Sequence, residues 1–113
     1  MSAQQKITVT GTLQYIDEYK RLHFQVSEPE HQAKLEELNQ SIVGKSPIYK
    51  KDDEDFTRLR VNLSKYEKVN MDKYEKVQKK TLTITLKVTP YDSEAYGKGT
   101  SLTLHKYRVA QTD

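Results

Sequence analysis

Phe56, Arg58, Arg60 and Asn62 occupy every second position of one stretch, with Leu59, Val61 and Leu63 on the opposite parity. An extended chain sends alternate side chains to opposite faces, so an aromatic ring, two guanidinium groups and an amide share one outward row. A row that only had to be soluble would be served by lysine, glutamate and threonine. Guanidinium planes and a phenyl ring stack on planar bases, and the guanidinium fork also fits phosphate oxygens. The plain alternative is cross-strand pairing of the arginines with carboxylates, with Phe56 folded into the edge of the core.

The same residue types recur nearby. Tyr49, Lys50 and Lys51 precede the row, and Lys-Tyr-Glu-Lys-Val occurs at 65–69 and again at 73–77. Two copies are too short for a solenoid. With Val69, Met71 and Val77 as its only aliphatic anchors, Ser64–Lys80 reads as a mobile Lys/Tyr-rich loop. Its Tyr66 and Tyr74 would stack on unpaired bases while its lysines follow a phosphate backbone, unless it is a solvated linker. Further along stand Lys87, then Tyr91, Tyr96 and Lys98 in a Gly-bearing loop, then Lys106 and Arg108. Residues 1–44 carry four basic and six acidic side chains, net −2, whereas residues 45–113 carry fifteen and ten, net +5. The positive charge belongs to the half that holds these motifs, and an anionic partner accounts for it most simply.

Catalytic chemistry is poorly served. The chain has no cysteine, which removes disulfides, thiolate metal sites and cysteine nucleophiles together. There is no Gly-rich phosphate loop, no nucleophile elbow and no His-Glu-x-x-His pattern. Asp52, Asp53, Glu54 and Asp55 are consecutive, and adjacent acids on a turn point apart instead of converging on a cation. His31 lies one helical turn before Leu35 and reads as a boundary residue. No catalytic residue, metal ligand or cofactor is expected, and the reading is a binding protein without enzymatic activity.

The elements that must hold these side chains follow from periodicity. Lys6–Ile16 sets Ile7, Val9, Leu13 and Tyr15 inward against Thr8, Thr10, Thr12 and Gln14, with Gly11 marking a bulge or bend. Leu22, Phe24 and Val26 form the inward face of a second strand, opposite Arg21, His23 and Gln25. Ser27 with Glu30 fits a capping box and Pro29 a first turn, so an amphipathic helix follows, burying Leu35, Leu38 and Ile42 and ending at Gly44. Strict alternation of Leu82, Ile84, Leu86 and Val88 with threonine and Lys87 starts a hairpin, which returns through Leu102 and Leu104. Tyr107 and Val109 fall on the other parity, so a bulge near His105–Lys106 is expected, leaving Lys106 and Arg108 outward beside the loop. The 113 residues thus read as one mainly β domain: a small antiparallel β-barrel of five or six strands with one amphipathic helix. No apolar run is long enough to cross a membrane, and the N-terminus lacks the apolar segment of a secretory signal. The expected location is the cytoplasm or nucleus of the cell or a host, not the exterior.

Residues 45–110, from Ser-Pro-Ile-Tyr and Phe-Thr-Arg-Leu-Arg-Val-Asn-Leu to the closing Thr-Leu-Thr-Ile-Thr-Leu hairpin, resemble OB-fold single-stranded-DNA-binding proteins of bacteriophages and large DNA viruses. That resemblance implies an OB-like barrel that binds single strands without base specificity, in replication, recombination or repair. The candidate interface residues would then share one groove, arginines and lysines on phosphates and Phe56 and tyrosines on bases. Family members place a helix between the third and fourth strands, where this chain has Ser64–Lys80. Many also end in an acidic tail, and whether one belongs after Arg-Val-Ala-Gln-Thr-Asp is open. RNA stays an alternative ligand, since stacking and phosphate contacts do not read the 2′-hydroxyl. The competing class is a protein-binding barrel, a virion or adaptor module, in which Thr81–Thr89 pairs edge to edge in a homo-oligomer.

Overall fold

Alternation writes the strands, and glycines and bulges decide where they bend. The computed structural model describes residues 5–110. In chain order the elements are β1 (Gln5–Ile16), β2 (Leu22–Val26), α1 (Pro29–Ser41), β3 (Ile48–Tyr49), β4 (Thr57–Asn62), α2 (Lys65–Lys68), α3 (Asp72–Glu75), β5 (Thr81–Ser93) and β6 (Gly97–Val109). The strand order is β2-β1-β5-β6-β4-β3, and a further β2–β4 pairing closes five strands into a barrel with β3 added at its side. Among the described residues the strand pairings are antiparallel except β4 with β6, where Val61 meets Leu102 and Asn62 meets Thr103 in parallel, and a lone parallel bridge joins Lys45 to Gly99. The expected barrel of five or six strands is therefore present, with one parallel seam.

The inward rows named above fill the barrel: Val9, Leu13, Phe24, Leu59, Val61, Ile84, Leu86 and Leu102 are buried. α1 lays Leu35 and Leu38 on this core, with Ile42 packed partly against it. Its start differs from the expected capping box. Glu28 is the N-cap and no side chain caps the helix; Gln32 Nε2 instead donates to the Ser27 carbonyl at 2.8 Å. His31 has a structural task. Beside Thr10, β2 has already ended, and the Thr10 amide donates to His31 Nδ1 at 2.9 Å, so the side chain continues the ladder. That nitrogen has no proton left for the Glu28 carboxylate 3.4 Å away.

Three local expectations change. Gly11 carries no bulge; it is buried where a Cβ would press on Val26 Cγ2 and the Gln25 carbonyl, allowing β2 to approach. The bulge of β1 falls at Gln14, where pairing shifts from Leu13–Phe24 to Tyr15–His23. One extra residue reverses facing, so Tyr15 turns outward and Ile16 takes the inner side. Ser64–Lys80, read as a mobile loop, forms α2 and α3 in the position between the third and fourth barrel strands. Tyr74 and Val77 join the core from there, while Val69 is exposed.

The hairpin differs as well. Strand pairing runs on to Ser93–Gly97, so the long loop expected over Tyr91–Gly99 shrinks to Glu94, Ala95 and Tyr96. Gly97, at φ 77°, supplies the left-handed residue that a three-residue hairpin loop requires. Pro90 pairs with Thr100 of β6 near the hairpin end, two residues beyond Val88, the partner of Gln5. The β6 bulge is where parity placed it: pairing passes from Thr85–Lys106 to Leu86–Leu104, leaving His105 as the extra residue. Lys106 and Arg108 are exposed and Tyr107 turns in, as expected, although Val109 stays half exposed. No helix among the described residues is long and apolar enough to cross a membrane.

Candidate nucleic-acid interface

β4 sits between β2 on one side and β3 on the other, so its outward row acquires neighbours on both flanks. Arg58 pairs across to Gln25 and to Tyr49, and Arg60 pairs to His23. Next to His23 comes Tyr15, delivered by the β1 bulge, and the two rings stack with centroids 4.2 Å apart and planes 7° from parallel. The outer surface of β1, β2, β4 and β3 thus presents Tyr15, His23, Arg60, Gln25, Arg58 and Tyr49. Phe56 lies at the start of the same row under the Arg58 guanidinium, 5.3 Å from it. Tyr15 and Tyr49 are each about half exposed, at 51% and 53%.

Arg58 and Arg60 are differently held. Arg58 Nη2 donates to Glu54 Oε1 at 2.8 Å, while the Arg60 guanidinium has no ion pair among the described residues. Glu54 Oε2 is buried with no hydrogen-bond partner. The cross-strand pairing considered as the plain alternative is therefore partly realised, through one acid of the Asp52–Asp55 run. Behind Tyr15, His23 Nε2 donates to Asp17 Oδ2 at 2.7 Å and Arg21 Nε to the same oxygen at 2.8 Å. Asp17 Oδ1 accepts the Tyr19 and Arg21 amides. Burial raises the Asp17 pKa, but His23, the two amides and the Arg21 side chain outweigh it and hold the carboxyl well below the usual carboxylate range. An ionised Asp17 fixes the imidazole against Tyr15, so the aromatic pair is set before any ligand arrives.

Of the residues singled out in the sequence, Tyr49, Phe56, Arg58 and Arg60 come together. Lys50 and Lys51 are exposed on the chain leaving β3, and half-buried Asn62 lies at the β4–β6 seam beside Thr103. Tyr91, Tyr96 and Lys98 belong to the hairpin end. It flanks the entry to β3, because the Lys45 amide donates to the Lys98 carbonyl at 2.9 Å. Half-buried Tyr91 lies across Gly99, where a Cβ would collide with its ring. Tyr96 is exposed at the tip.

Two expectations fail to converge on this surface. Lys87, Lys106 and Arg108 project from β5 and β6 on the face shared with β1, and Lys106 and Arg108 stand at the far end of the hairpin from its tip. Tyr74 is 1% exposed, tilted against Tyr107 with centroids 5.4 Å apart, and donates to Glu67 Oε2 at 2.6 Å. Burial, and then Glu67, raise its hydroxyl pKa. It has no face left for a base and leaves the candidate set, whereas Tyr66 is fully outside at 85% exposed. Tyr15 and His23 are the additions. Parity alone assigns Tyr15 to the core, and in the sequence His23 is one outward residue of its strand among three.

No family model and no curated protein matches the sequence. Solved proteins share its architecture, two of them as follows. The mitochondrial single-stranded-DNA-binding protein Rim1 of S. cerevisiae superposes with a TM-score of 0.57 at 9% identity, covering 99% of this chain and 100% of its own. The single-stranded-DNA-binding protein gp2.5 of bacteriophage T7 gives 0.55 at 15% identity, covering 98% of this chain and 90% of its own. At such identities the likeness carries the fold: this chain is an OB-like barrel of the kind found in those single-stranded-DNA-binding proteins.

Proposed function

We propose that this protein binds single-stranded DNA without base specificity across the outer face of β2 and β4, serving replication, recombination or repair. The observation that carries the reading is the continuous surface of Tyr15, His23, Arg60, Arg58, Phe56 and Tyr49. It alternates stacking planes with guanidinium groups, and both are sequence-tolerant. In OB-folds the second and third barrel strands, here β2 and β4, form the usual oligonucleotide surface, flanked by the loops after the first and fourth strands. Here those loops are the Asp17–Arg21 turn and the Tyr96 tip. That Rim1 and gp2.5, which share this architecture, are single-stranded-DNA-binding proteins supports the same ligand.

Fluorescence anisotropy with a labelled oligo-dT, titrated at several salt concentrations, tests this. The double change Arg58→Ala with Arg60→Ala should weaken binding about tenfold or more and flatten the salt dependence by roughly 1.4, at about 0.7 per phosphate contact on a single strand. Tyr15→Ala should remove about 1–3 kcal/mol of stacking with little change in salt slope. Absence of binding at low salt, or affinities untouched by all three changes in a folded protein, would overturn the reading.

A further inference from the structure

The cations that fail to reach the β2–β4 surface gather elsewhere. On the outer face of β1, β5 and β6, Lys6 pairs across to Lys87, Lys87 to Thr103, Thr85 to Lys106 and Thr83 to Arg108. The His105 bulge adds an imidazole beside Lys6, Lys87 and Lys106; burial and then those three charges lower its pKa. None of the four Lys and Arg side chains has an ion pair among the described residues.

The outward rows of these strands are Lys6-Thr8-Thr10-Thr12, Thr81-Thr83-Thr85-Lys87-Thr89 and Ser101-Thr103-Lys106-Arg108. They contain no carboxylate, in a chain with 16 Asp and Glu. Among the described residues, acids stand at the margins, with Asp92 and Glu94 at the hairpin end. Glu67 shares a small cavity with His105 and Lys106 and is held by Lys73 and the Tyr74 hydroxyl, and Glu28 lies beside His31. Over the length where β1 pairs with β5, Gln5–Thr12, the face has no exposed aromatic: Tyr15 follows the β1 bulge beyond that pairing, and Tyr19, Tyr49, Tyr66 and Tyr96 lie outside the three strands.

The geometry points to a second, purely ionic nucleic-acid track on the β1–β5–β6 face, one that takes the phosphate backbone of a duplex and not unpaired bases. A face without stacking planes gains nothing from splayed bases, while lysine, arginine and hydroxyl rows suit phosphate oxygens. Lys106 and Arg108 are two strand positions apart, about 6.8 Å, a separation comparable to that of successive phosphates. A second copy of the chain is the poorer occupant, because a two-fold axis would set these unpaired cations against their own images. The inference rests on the proposed function in adding a second track to it, so that one molecule could hold a single strand and a duplex together.

The test compares two probes on the full chain: the labelled oligo-dT and a blunt labelled duplex, with circular dichroism to confirm folding. The triple change Lys87→Gln, Lys106→Gln and Arg108→Gln should weaken duplex binding about tenfold or more and reduce its salt slope by roughly 2.7, at about 0.9 per contact. Oligo-dT affinity should stay within about twofold. Arg58→Ala with Arg60→Ala should give the reverse pattern. If the triple variant does not fold, Lys106→Gln alone, at an exposed position, should still lower the duplex slope by about 0.9. Several results overturn the inference: no duplex binding by the wild type, duplex affinity indifferent to these changes, equal loss for both probes, or a dimer that the triple change dissociates. Duplex binding through this face with no oligo-dT binding would sink the proposed function and leave the second track standing.

Discussion

Glu54 is the residue whose chemistry opposes the function proposed for the surface around it. One oxygen holds Arg58 and the other is buried without a partner. A phosphate approaching Arg58 must displace a carboxylate already in place, and an unsatisfied buried acceptor costs about 1–3 kcal/mol. Glu54→Gln keeps the volume, removes the charge and supplies an N–H. Oligo-dT affinity should rise severalfold, with the urea midpoint of unfolding equal to or above that of the wild type. A fall in both would show that the ion pair positions Arg58 productively instead of sequestering it. This pairing could not be read from the sequence. Asp52–Asp55 reads as four equivalent solvated acids, and which one turns back to the following strand depends on the path of the turn.

Among the elements, β1 shows how one residue sets a surface. With regular pairing Tyr15 would occupy the core and Ile16 the outside; the extra residue at Gln14 exchanges them. Deletion of Gln14 should remove the bulge and let Leu13, Tyr15 and Ile16 pair in regular register with Phe24, His23 and Leu22, so that the tyrosine stays outward and the isoleucine inward. The expected outcome is a folded protein that keeps the Tyr15 contribution to oligo-dT binding, measured by calorimetry and anisotropy. Loss of that contribution in a folded deletion variant would mean that the bulge itself aims the ring. The two bulges differ in legibility for a physical reason. At His105 the parity break is written in the residues, since Leu104 and Tyr107 both need cover and lie an odd number of positions apart. At Gln14, Tyr15 and Ile16 are both apolar enough for the core, so the sequence tolerates either phase. Likewise Lys-Tyr-Glu-Lys-Val at 73–77 looks identical to its copy at 65–69, yet only the second tyrosine finds Tyr107 and the core.

At the scale of the molecule, the barrel is shut by close approaches that side chains would prevent. Gly44, at φ 90°, brings the chain so near β6 that a Cβ would sit on the Lys98 carbonyl, and Lys45 then bridges to Gly99 in parallel. Gly97 has a similar φ but open space around it. Gly97→Ala should therefore cost only backbone strain, about 1 kcal/mol, at the low end for an unfavourable conformation. Gly44→Ala should cost at least about 2 kcal/mol more, because strain and collision add. Urea denaturation of both variants gives the difference, and equal losses would mean that the seam beside Lys98 can yield.

On the β1–β5 face, the hydroxyls of Thr8 and Thr85, Thr10 and Thr83, and Thr12 and Thr81 share hydrogen bonds of 3.1, 3.3 and 3.2 Å. These neutral rungs lie among cations whose attraction for a polyanion fades with salt. Scaffold and grip on this face thus answer to different variables. If the proposed track holds, ionic strength tunes its grip on a polyanion while the sheet beneath keeps its shape.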